Sequence, residues 1–463
     1  MTVHDFSPTA AQADIPLQIA IVGRGFSGLM MAIAVLKTVG RPFQLRMFDP
    51  QPIVSGGQAL ATTRSTEILN SRARDLSVST GEPKDFTRWL QANAEFRGAV
   101  SAAIPGFGQI FVPKGTFSNY VYQRFSEALA QRKDVSVQMS TESVTGIGRT
   151  DDGRFALTLA DSGEVVFNEV ILASGYGLKS AHSEETPGDN AHVPAAEGTR
   201  HIVVMGNGLR AVDQVLQLRD AGFSGHITVL TRRGFMPQSH TRMPAEAVFP
   251  NQPMPSQLRH IVRFVRNACA EAEENGWSWQ AAMNGLRKRA RTLWASLPPS
   301  EKRQFNRHLR AIYDSHRNRL PADVHSRFER ELAGGMTEVR RGTRLRQNTA
   351  GLFVRWAGQS SEDFLAVDEV MDCRCLSPDL TAPVIVDLLQ SGLATPDELE
   401  LGLAVNPTGE LLTPKGRPTG LFAVGPLGLG SLPDIDLVPE IVTQTYAAAS
   451  LIDARVRPQR QAG

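Results

Sequence analysis

The sequence predicts an α/β fold in which one strand–loop–helix plan is used twice. Two glycine-rich loops begin at Gly23 and Gly206, about 180 residues apart, and each follows an apolar run rich in β-branched residues. Helix-compatible stretches follow both loops, and the order of the later predicted strands is also repeated. A strand, a G-x-G-x-x-[G/A] loop and a helix begin a Rossmann-like dinucleotide-binding domain. We therefore predict two such domains, the second carrying a helical insertion.

The first loop has the glycine spacing that a dinucleotide pyrophosphate requires. Gly23 allows the tight turn out of the strand, Gly25 lets the backbone approach the pyrophosphate, and Gly28 lets helix and strand pack closely. The pyrophosphate then lies at the positive end of a helix whose first turn contains Phe26 and Ser27. A plain strand–turn–helix without a ligand is the alternative.

An acidic residue stands where this fingerprint needs one. The predicted strand Leu45–Asp49 ends about 20 residues after the first loop. Asp49 is therefore placed to accept hydrogen bonds from the adenosine ribose hydroxyls. The alternative is that Asp49 only opens the turn at Pro50.

The second nucleotide site ends differently. Its next strand closes with Arg232 and Arg233 and has no acidic residue. An acid there would repel a 2′-phosphate, whereas an arginine can pair with it, so we predict NADPH rather than NADH, with NADH possible. Solvated turn residues are the alternative. The predicted loop contacts are Gly206, Gly208, Leu209, Arg210 and Ala211.

Two such loops in one chain indicate a flavoenzyme that binds FAD at one site and takes hydride from a nicotinamide at the other. The stretch from Thr419 predicts a buried strand that delivers Gly425, and Pro439 stands in the first turn of a predicted helix. In two-dinucleotide flavoproteins such a strand reaches the ribityl chain, and such a helix directs its N-terminal amides at the flavin pyrimidine edge. An ordinary closing strand and helix is the alternative.

The domain boundaries follow from this order. We expect an FAD-binding domain over 1–190 and 376–463, and an NADPH-binding domain over 191–375. The insertion at about 255–335 has helical spacing and many Arg and Lys residues, which favour solvated faces over a binding surface. In the first domain, the runs Val144–Gly148 and Phe155–Ala160 flank an Asp-Asp-Gly turn and predict a hairpin.

The composition argues against several kinds of partner. Lys plus Arg number 49 and Asp plus Glu 47, so a net charge of +2 favours neither nucleic acid nor a membrane surface. Three cysteines fit a reducing compartment, the polar first 16 residues read as a flexible tail, and no 18-residue apolar run occurs. We expect a cytoplasmic protein without a metal, and the oligomeric state stays open.

Four stretches resemble a known family: the first loop, Ile68–Ser77 with Pro83–Leu90, Gly206–His240, and Ile312–Pro321. In these stretches the chain resembles the bacterial FAD–NAD(P)-binding family of two-dinucleotide flavoproteins, distant relatives of the N-hydroxylating and Baeyer–Villiger monooxygenases. Two features depart from the family pattern. Arg24 occupies a usually small loop position, and Cys373-Arg-Cys375 stands where relatives place a Cys-Thr-Gly-like turn.

The resemblance implies FAD, NADPH and molecular oxygen, an FAD contact at Asn70, and hydroxylation of a small polar metabolite through a flavin C4a-hydroperoxide. Some branches are similar to a urate hydroxylase of purine breakdown, which is our first hypothesis for the substrate. Other branches are similar to N-hydroxylases of amino acids such as aspartate, which we keep as the alternative.

The candidate substrate residues follow from the chemistry of an anionic, planar substrate. Arg72 and Arg74 could pair with it, although they could also contact the FAD phosphates or solvent. His240 and His316 are candidate proton carriers, with a structural role as the alternative. We predict no unique catalytic residue, because the cofactor performs the oxygen chemistry.

Two other classes of function remain open. An FAD/NADPH disulfide reductase needs a cysteine pair beside the flavin, usually spaced by two or four residues, whereas Cys373 and Cys375 are separated by one. A non-catalytic redox sensor would bind the nucleotides without turnover.

Overall fold

The computed structural model describes residues 16–51, 67–99, 106–177, 200–243, 245–374 and 377–456. Within these ranges, two six-stranded sheets and one three-stranded sheet are combined with helices, so the predicted α/β fold class is confirmed. The predicted polar stretch 55–61, the N-terminal tail before residue 16 and Cys375 lie outside the described residues.

The first sheet joins the beginning and the end of the chain. Four neighbouring parallel strands come from the N-terminal part, and two strands from the C-terminal part extend the sheet. In sheet order the strands are β14 (Glu410–Leu412), β15 (Pro418–Ala423), β7 (Glu169–Leu172), β1 (Leu17–Val22), β2 (Phe43–Phe48) and β3 (Val135–Ser140). Only β14 runs antiparallel to its neighbour.

The helix after the first loop, α1 (Phe26–Thr38), is buried on almost every side. Its sequence is apolar throughout, with no acidic residue, so it has no face suited to water. It packs between β1, α3 (Lys114–Ala130) and the C-terminal helix α12 (Val438–Val456). This burial fixes the start of α1, and with it the first glycine loop, in the core.

The second sheet repeats the arrangement of the first. Strand β8 pairs in parallel with both β9 and β13, as β1 does with β2 and β7. In sheet order the strands are β12 (Asp363–Ala366), β11 (Gly351–Trp356), β10 (Thr337–Asn348), β9 (His226–Thr231), β8 (His201–Met205) and β13 (Glu369–Asp372). Helix α4 (Leu209–Asp220) follows β8 as α1 follows β1.

The remaining elements frame these two units. The predicted hairpin is present as β4 (Val144–Arg149) and β5 (Phe155–Leu159), and β6 (Gly163–Phe167) completes the antiparallel third sheet. Helix α2 (Asp85–Ala92) precedes α3, and α11 (Pro383–Gln390) packs on β4.

The predicted helical insertion connects β9 to β10, which are neighbouring parallel strands. Its helices are α5 (Leu258–Glu274), α6 (Trp279–Arg287), α7 (Ala290–Ser296), α8 (Pro299–His308), α9 (Arg310–Arg317) and α10 (Ala322–Ala333). The insertion docks on the C-terminal part, where Trp294 donates a 2.9 Å hydrogen bond to the carbonyl of Gly430. The domain boundaries at 190 and 375 stay predictions.

Some element ends differ from the sequence prediction. Helix α3 begins at Lys114 rather than at Tyr120, since Pro113 pairs with Ile68 and Lys114 donates its backbone N–H to the carbonyl of Glu67. Strand β10 continues to Asn348 because it pairs with β11. No helix among the described residues has the length and apolar character that a membrane span requires.

The buried Glu169 makes stability depend on pH. Burial raises the pKa of Glu169 to about 7 from its usual 4.5; Arg455, 3.6 Å away, opposes the shift and Glu410 adds to it. Because the folded-state pKa lies above the unfolded one, the stabilising contribution is complete below pH 4.5 and is lost as the pH rises through about 7.

We expect Glu169→Gln to gain stability relative to the wild type between pH 5 and pH 8, by up to about 3 kcal/mol. Thermal unfolding of both proteins at the two pH values measures the change. Glu164→Gln, at an exposed strand position, is the control and should show no such gain. A Tm difference for Glu169→Gln that is the same at both pH values would contradict the assignment.

Candidate functional site

The first glycine loop lies at the carboxyl end of β1, pressed against the end of β7. The N–H of Gly23 donates a 2.7 Å hydrogen bond to the carbonyl of Phe48. Gly23 has φ +108°, and a Cβ there would lie 2.5 Å from the carbonyl oxygen of Ala173. Only glycine therefore fits this turn.

The start of α1 is left open for an anion. Gly25 is the N-cap, and no side chain caps the helix. The backbone N–H of Leu29 is bonded to the carbonyl of Gly25, whereas the amides of the preceding turn, at Phe26, Ser27 and Gly28, precede the first intrahelical bond. These amides and the helix dipole suit a pyrophosphate, so this part of the structure fits the predicted FAD.

Asp49 lies beside this loop, as predicted. One carboxylate oxygen accepts a 2.8 Å hydrogen bond from the N–H of Arg24, and the other accepts one of 3.0 Å from Gln51. Each oxygen retains capacity for a further donor, as a ribose hydroxyl would supply. Arg24, which departs from the family pattern, is buried and donates to the carbonyls of Asp49 and Gln51. Its side chain thus braces the strand end that carries Asp49.

The C-terminal part reaches the same place. Gly425 has φ +78° and directly abuts the Ser27 side chain, and its N–H donates a 2.8 Å hydrogen bond to the Gln444 side chain. Pro439 is the second residue of α12, whose first turn also holds Glu440, 2.8 Å from Arg291 of the insertion. The predicted ribityl and pyrimidine contacts therefore lie close to the first loop and beside the insertion.

The second glycine loop repeats the first. Gly206 has φ +146°, and a Cβ there would lie 2.6 Å from the carbonyl oxygen of Cys373, at the end of β13. Gly208 is the uncapped N-cap of α4, and Leu209 and Ala211 face the core of this unit. Arg210 donates a 3.1 Å hydrogen bond to the carbonyl of Arg374.

Two exposed arginines stand at the end of β9, where a 2′-phosphate is predicted. Arg233 donates a 2.8 Å hydrogen bond to the carbonyl of Arg307, and no acidic side chain among the described residues pairs with Arg232 or Arg233. The sequence analysis missed Arg341. It follows the neighbouring strand β10, and its aliphatic part lies against Gly234. A third cation is thus available at this edge of the sheet.

The candidate substrate residue Arg72 bridges the two units. Its guanidinium donates to the carbonyls of Gln109 at 2.7 Å, Thr241 at 2.6 Å and Arg242 at 3.2 Å, and it lies over the Phe111 ring. Arg72 is buried, and its hydrogen bonds go to main-chain carbonyls rather than to a carboxylate. The geometry favours a role in holding the segment 241–242 in place.

His240 lies next to Arg72 but is not poised to carry protons. Nε2 lies 2.9 Å from the carbonyl oxygen of Asn70, so this nitrogen donates. Burial lowers the pKa of His240 to about 3, and the positive charges of Arg319 and Arg72 add to the shift. The imidazole is neutral at physiological pH, which favours the structural alternative and leaves the Asn70 backbone as its anchor.

The other two candidates lie farther apart. Arg74 is half-buried, with long ion pairs of 4.0 Å to Asp75 and 3.8 Å to Glu246. His316 packs edge-on against Trp279, and its Nδ1 lies 2.8 Å from the carbonyl oxygen of Ile312. The structure thus brings Arg72 and His240 together and places Arg74 and His316 at separate edges.

A network behind these residues was not predicted. Gln280 accepts hydrogen bonds from Arg319 at 2.5 Å and from the N–H of Thr241 at 3.2 Å, and donates to the carbonyl of Ser239 at 2.8 Å. Arg319 also donates to Asn284 at 2.7 Å. The signal for Arg319 was its place in the family-like segment Ile312–Pro321, but its partners lie more than 30 residues away.

Lys114 links the two units electrostatically. Its ammonium lies 3.1 Å from Glu67 and 3.9 Å from Asp213 of α4. Burial raises the pKa of Asp213 to about 6, against the attraction of Lys114. The start of α3 and the nucleotide-binding helix α4 are therefore tied by one cation between two carboxylates.

The described cysteines do not form a redox centre. Cys373 is buried, and this burial raises the pKa of its thiol to about 11. Burial also raises the pKa of Cys269, which lies in the insertion. Thiolates are the reactive form, so both positions disfavour thiol chemistry.

Residues 20–177 match the family described as FAD-NAD(P)-binding, which covers about a third of the chain. No curated relative matches the chain. Many solved structures share its fold. An ornithine N-hydroxylase from Kutzneria sp. 744, solved with reduced FAD, NADP+ and L-ornithine, is 14% identical with a TM-score of 0.62, over 95% of this chain and 99% of that one.

Two further solved structures are similar. A cadaverine monooxygenase from Erwinia amylovora, bound to FAD, is 13% identical with a TM-score of 0.60, covering 95% of this chain and 94% of that one. A bacillithiol disulfide reductase from Bacillus cereus is 14% identical with a TM-score of 0.52, covering 95% and 99%. The chain thus has the fold of these flavoproteins, and the predicted FAD–NAD(P)-binding family match is confirmed for residues 20–177.

Proposed function

We propose that the protein is an FAD-dependent, NADPH-consuming monooxygenase that N-hydroxylates a small polar amine with molecular oxygen. The observation that carries this proposal is the repeated loop. Gly23 and Gly206 turn against the ends of β7 and β13, and each is followed by a helix without a side-chain cap. Two open helix N-termini in one chain suit two dinucleotides, one in each sheet unit.

The residues of the first unit would hold FAD. The amides of Phe26, Ser27 and Gly28 would bind the pyrophosphate, and Asp49 would accept from the ribose. Gly425 leaves space beside Ser27 for the ribityl chain, and the first turn of α12, with Pro439, would face the pyrimidine edge. Bound FAD would take hydride from NADPH and supply the oxygen chemistry.

The second unit would hold NADPH. Gly206, Gly208 and the first turn of α4 would bind its pyrophosphate. Arg232 and Arg233 are exposed, without acidic partners in the described ranges, and would pair with the 2′-phosphate. Arg341 would add positive charge from β10.

An amine is better supported as substrate than urate. The similar structures are named for ornithine and cadaverine, both amines, and none of the named ones for a purine. Our first hypothesis used Arg72 to bind urate, but its guanidinium is engaged by three main-chain carbonyls. The amino-acid alternative is therefore our preferred one.

A disulfide reductase is the second candidate, because a bacillithiol disulfide reductase shares the fold. The buried Cys373 thiol, with its raised pKa, speaks against dithiol exchange at that position. Turnover measurements distinguish the two activities.

For the substrate, we expect purified FAD-loaded protein to oxidise NADPH and take up oxygen faster with an amine than without one. The panel is L-aspartate, L-ornithine, L-lysine, cadaverine and urate, and mass spectrometry of the product should show one added oxygen atom. NADPH oxidation driven by a disulfide would support the reductase, and urate-dependent oxygen uptake would restore the first hypothesis. No turnover with any compound would favour a sensor.

For the FAD site, we expect Gly25→Val to purify without FAD, because a side chain there blocks the approach of the pyrophosphate. Flavin absorbance per protein measures the loss, and circular dichroism checks the fold. Gly148→Val is the matched control, since a Cβ at Gly148 meets no atom within 4 Å. A yellow, fully loaded Gly25→Val protein would contradict the site.

For the NADPH site, we expect Arg232→Ala with Arg233→Ala to raise the KM for NADPH roughly tenfold or more and to leave that for NADH little changed. The control removes the same charge from the β10–β11 hairpin, by Arg344→Ala with Arg355→Ala. An equal loss with both coenzymes would refute the phosphate assignment.

A further inference from the structure

Two arginines of the insertion share a small cavity without an acidic partner. The cavity has a volume of about 20 Å³, enough for a group of one or two oxygen atoms. It lies between α6 and α9. Its polar lining consists of Asn284, Arg287, Tyr313, His316, Arg317 and Arg319.

The three arginines of this cavity differ in how their charges are balanced. Arg317 forms an ion pair with Asp434 and lies 3.6 Å from both Asp314 and Asp436. In contrast, no described carboxylate lies within ion-pair distance of Arg287 or Arg319. The cavity therefore carries surplus positive charge.

Arg319 shows the imbalance most clearly. It is only 8% exposed, its two terminal nitrogens donate to the neutral amides of Gln280 and Asn284, and its Nε has no partner. Amides satisfy hydrogen bonds but do not cancel a buried charge. Burial lowers the pKa of Arg319 to about 10, Arg287 and Arg72 add to the shift, and Asp75 opposes it. A bound anion would remove this cost.

The cavity lies beside the predicted flavin end of the molecule. Tyr313 donates a 3.1 Å hydrogen bond to Asp434, and Arg317 pairs with the same carboxylate. Asp434 lies shortly before α12, and Arg291 of the insertion pairs with Glu440 in the first turn of that helix. An anion at Arg319 would therefore lie near the segment whose helix we assign to the flavin pyrimidine edge.

We infer that Arg287 and Arg319 bind the carboxylate of the substrate, which is therefore a carboxylate-bearing amine rather than a simple diamine. Guanidinium groups pair with carboxylates through charge-assisted hydrogen bonds, and the small volume admits only that end of the ligand. The amine would remain outside the cavity, free to face the flavin. This inference rests on the proposed function for the identity of the ligand as substrate.

The test uses binding to the FAD-loaded protein by isothermal titration at constant ionic strength. The probes are succinate and its uncharged diamide, succinamide, which share a carbon skeleton and cannot be N-hydroxylated as amines. We expect succinate to bind more tightly than succinamide. We expect Arg287→Ala and Arg319→Lys each to weaken succinate binding about tenfold or more and to leave succinamide unchanged. Arg263→Ala, an exposed position of α5, is the control.

Several results would overturn the inference. These are no preference for succinate in the millimolar range, equal losses for both probes in the variants, or an equal loss in Arg263→Ala. If Arg319→Lys fails to fold, Arg287→Ala decides, because Arg287 has no hydrogen bond or ion pair to lose within the described residues.

Turnover separates this inference from the proposed function. Succinate binding that depends on Arg287, without turnover of any amine, would support the carboxylate subsite and refute the monooxygenase. Efficient turnover of cadaverine that Arg287→Ala does not alter would support the monooxygenase and refute the subsite. For an amino-acid substrate, we expect Arg287→Ala to raise KM by the same factor as the succinate Kd, with kcat little changed.

Discussion

The structure depends on two places where the backbone has no room for a side chain. At Gly23 and Gly206 the turn presses against the carbonyl oxygens of Ala173 and Cys373, which belong to the ends of neighbouring strands. Those oxygens are fixed by the parallel sheet and cannot move aside. The turn thereby sets the direction in which α1 and α4 leave their sheets, and so aims two helix N-termini at the sheet edge where a phosphate is predicted.

The cleft between these units is built from main-chain groups as much as from side chains. Arg72 binds carbonyls of residues 241 and 242, and the His240 ring binds the carbonyl of Asn70. Gln280 then holds the same short segment from the side of the insertion. Lys114 adds an electrostatic tie between α3 and α4. Three parts of the chain therefore fix one another around the cavity, which gives the insertion a defined position on the C-terminal part.

The sequence predicts what is local and misses what is assembled. The fold class, both glycine loops, the β4–β5 hairpin and the C-terminal strand and helix could be predicted, because each follows from spacing within a short window. Arg319 and Arg341 could not be assigned, since their surroundings come from residues far along the chain. Arg72 was singled out, but its carbonyl partners lie up to 170 residues away and carry no side-chain signal. The site residues as a set remain a prediction.

The position of the insertion has a consequence for how such proteins can diversify. It interrupts the connection between β9 and β10, two adjacent strands of the second sheet, at the strand end that carries Arg232. A single exchange of genetic material across this connection would replace the cavity-lining helices and leave both glycine loops intact. Chimaeras that swap only residues between β9 and β10 should therefore inherit ligand selectivity from the donor and cofactor retention from the recipient.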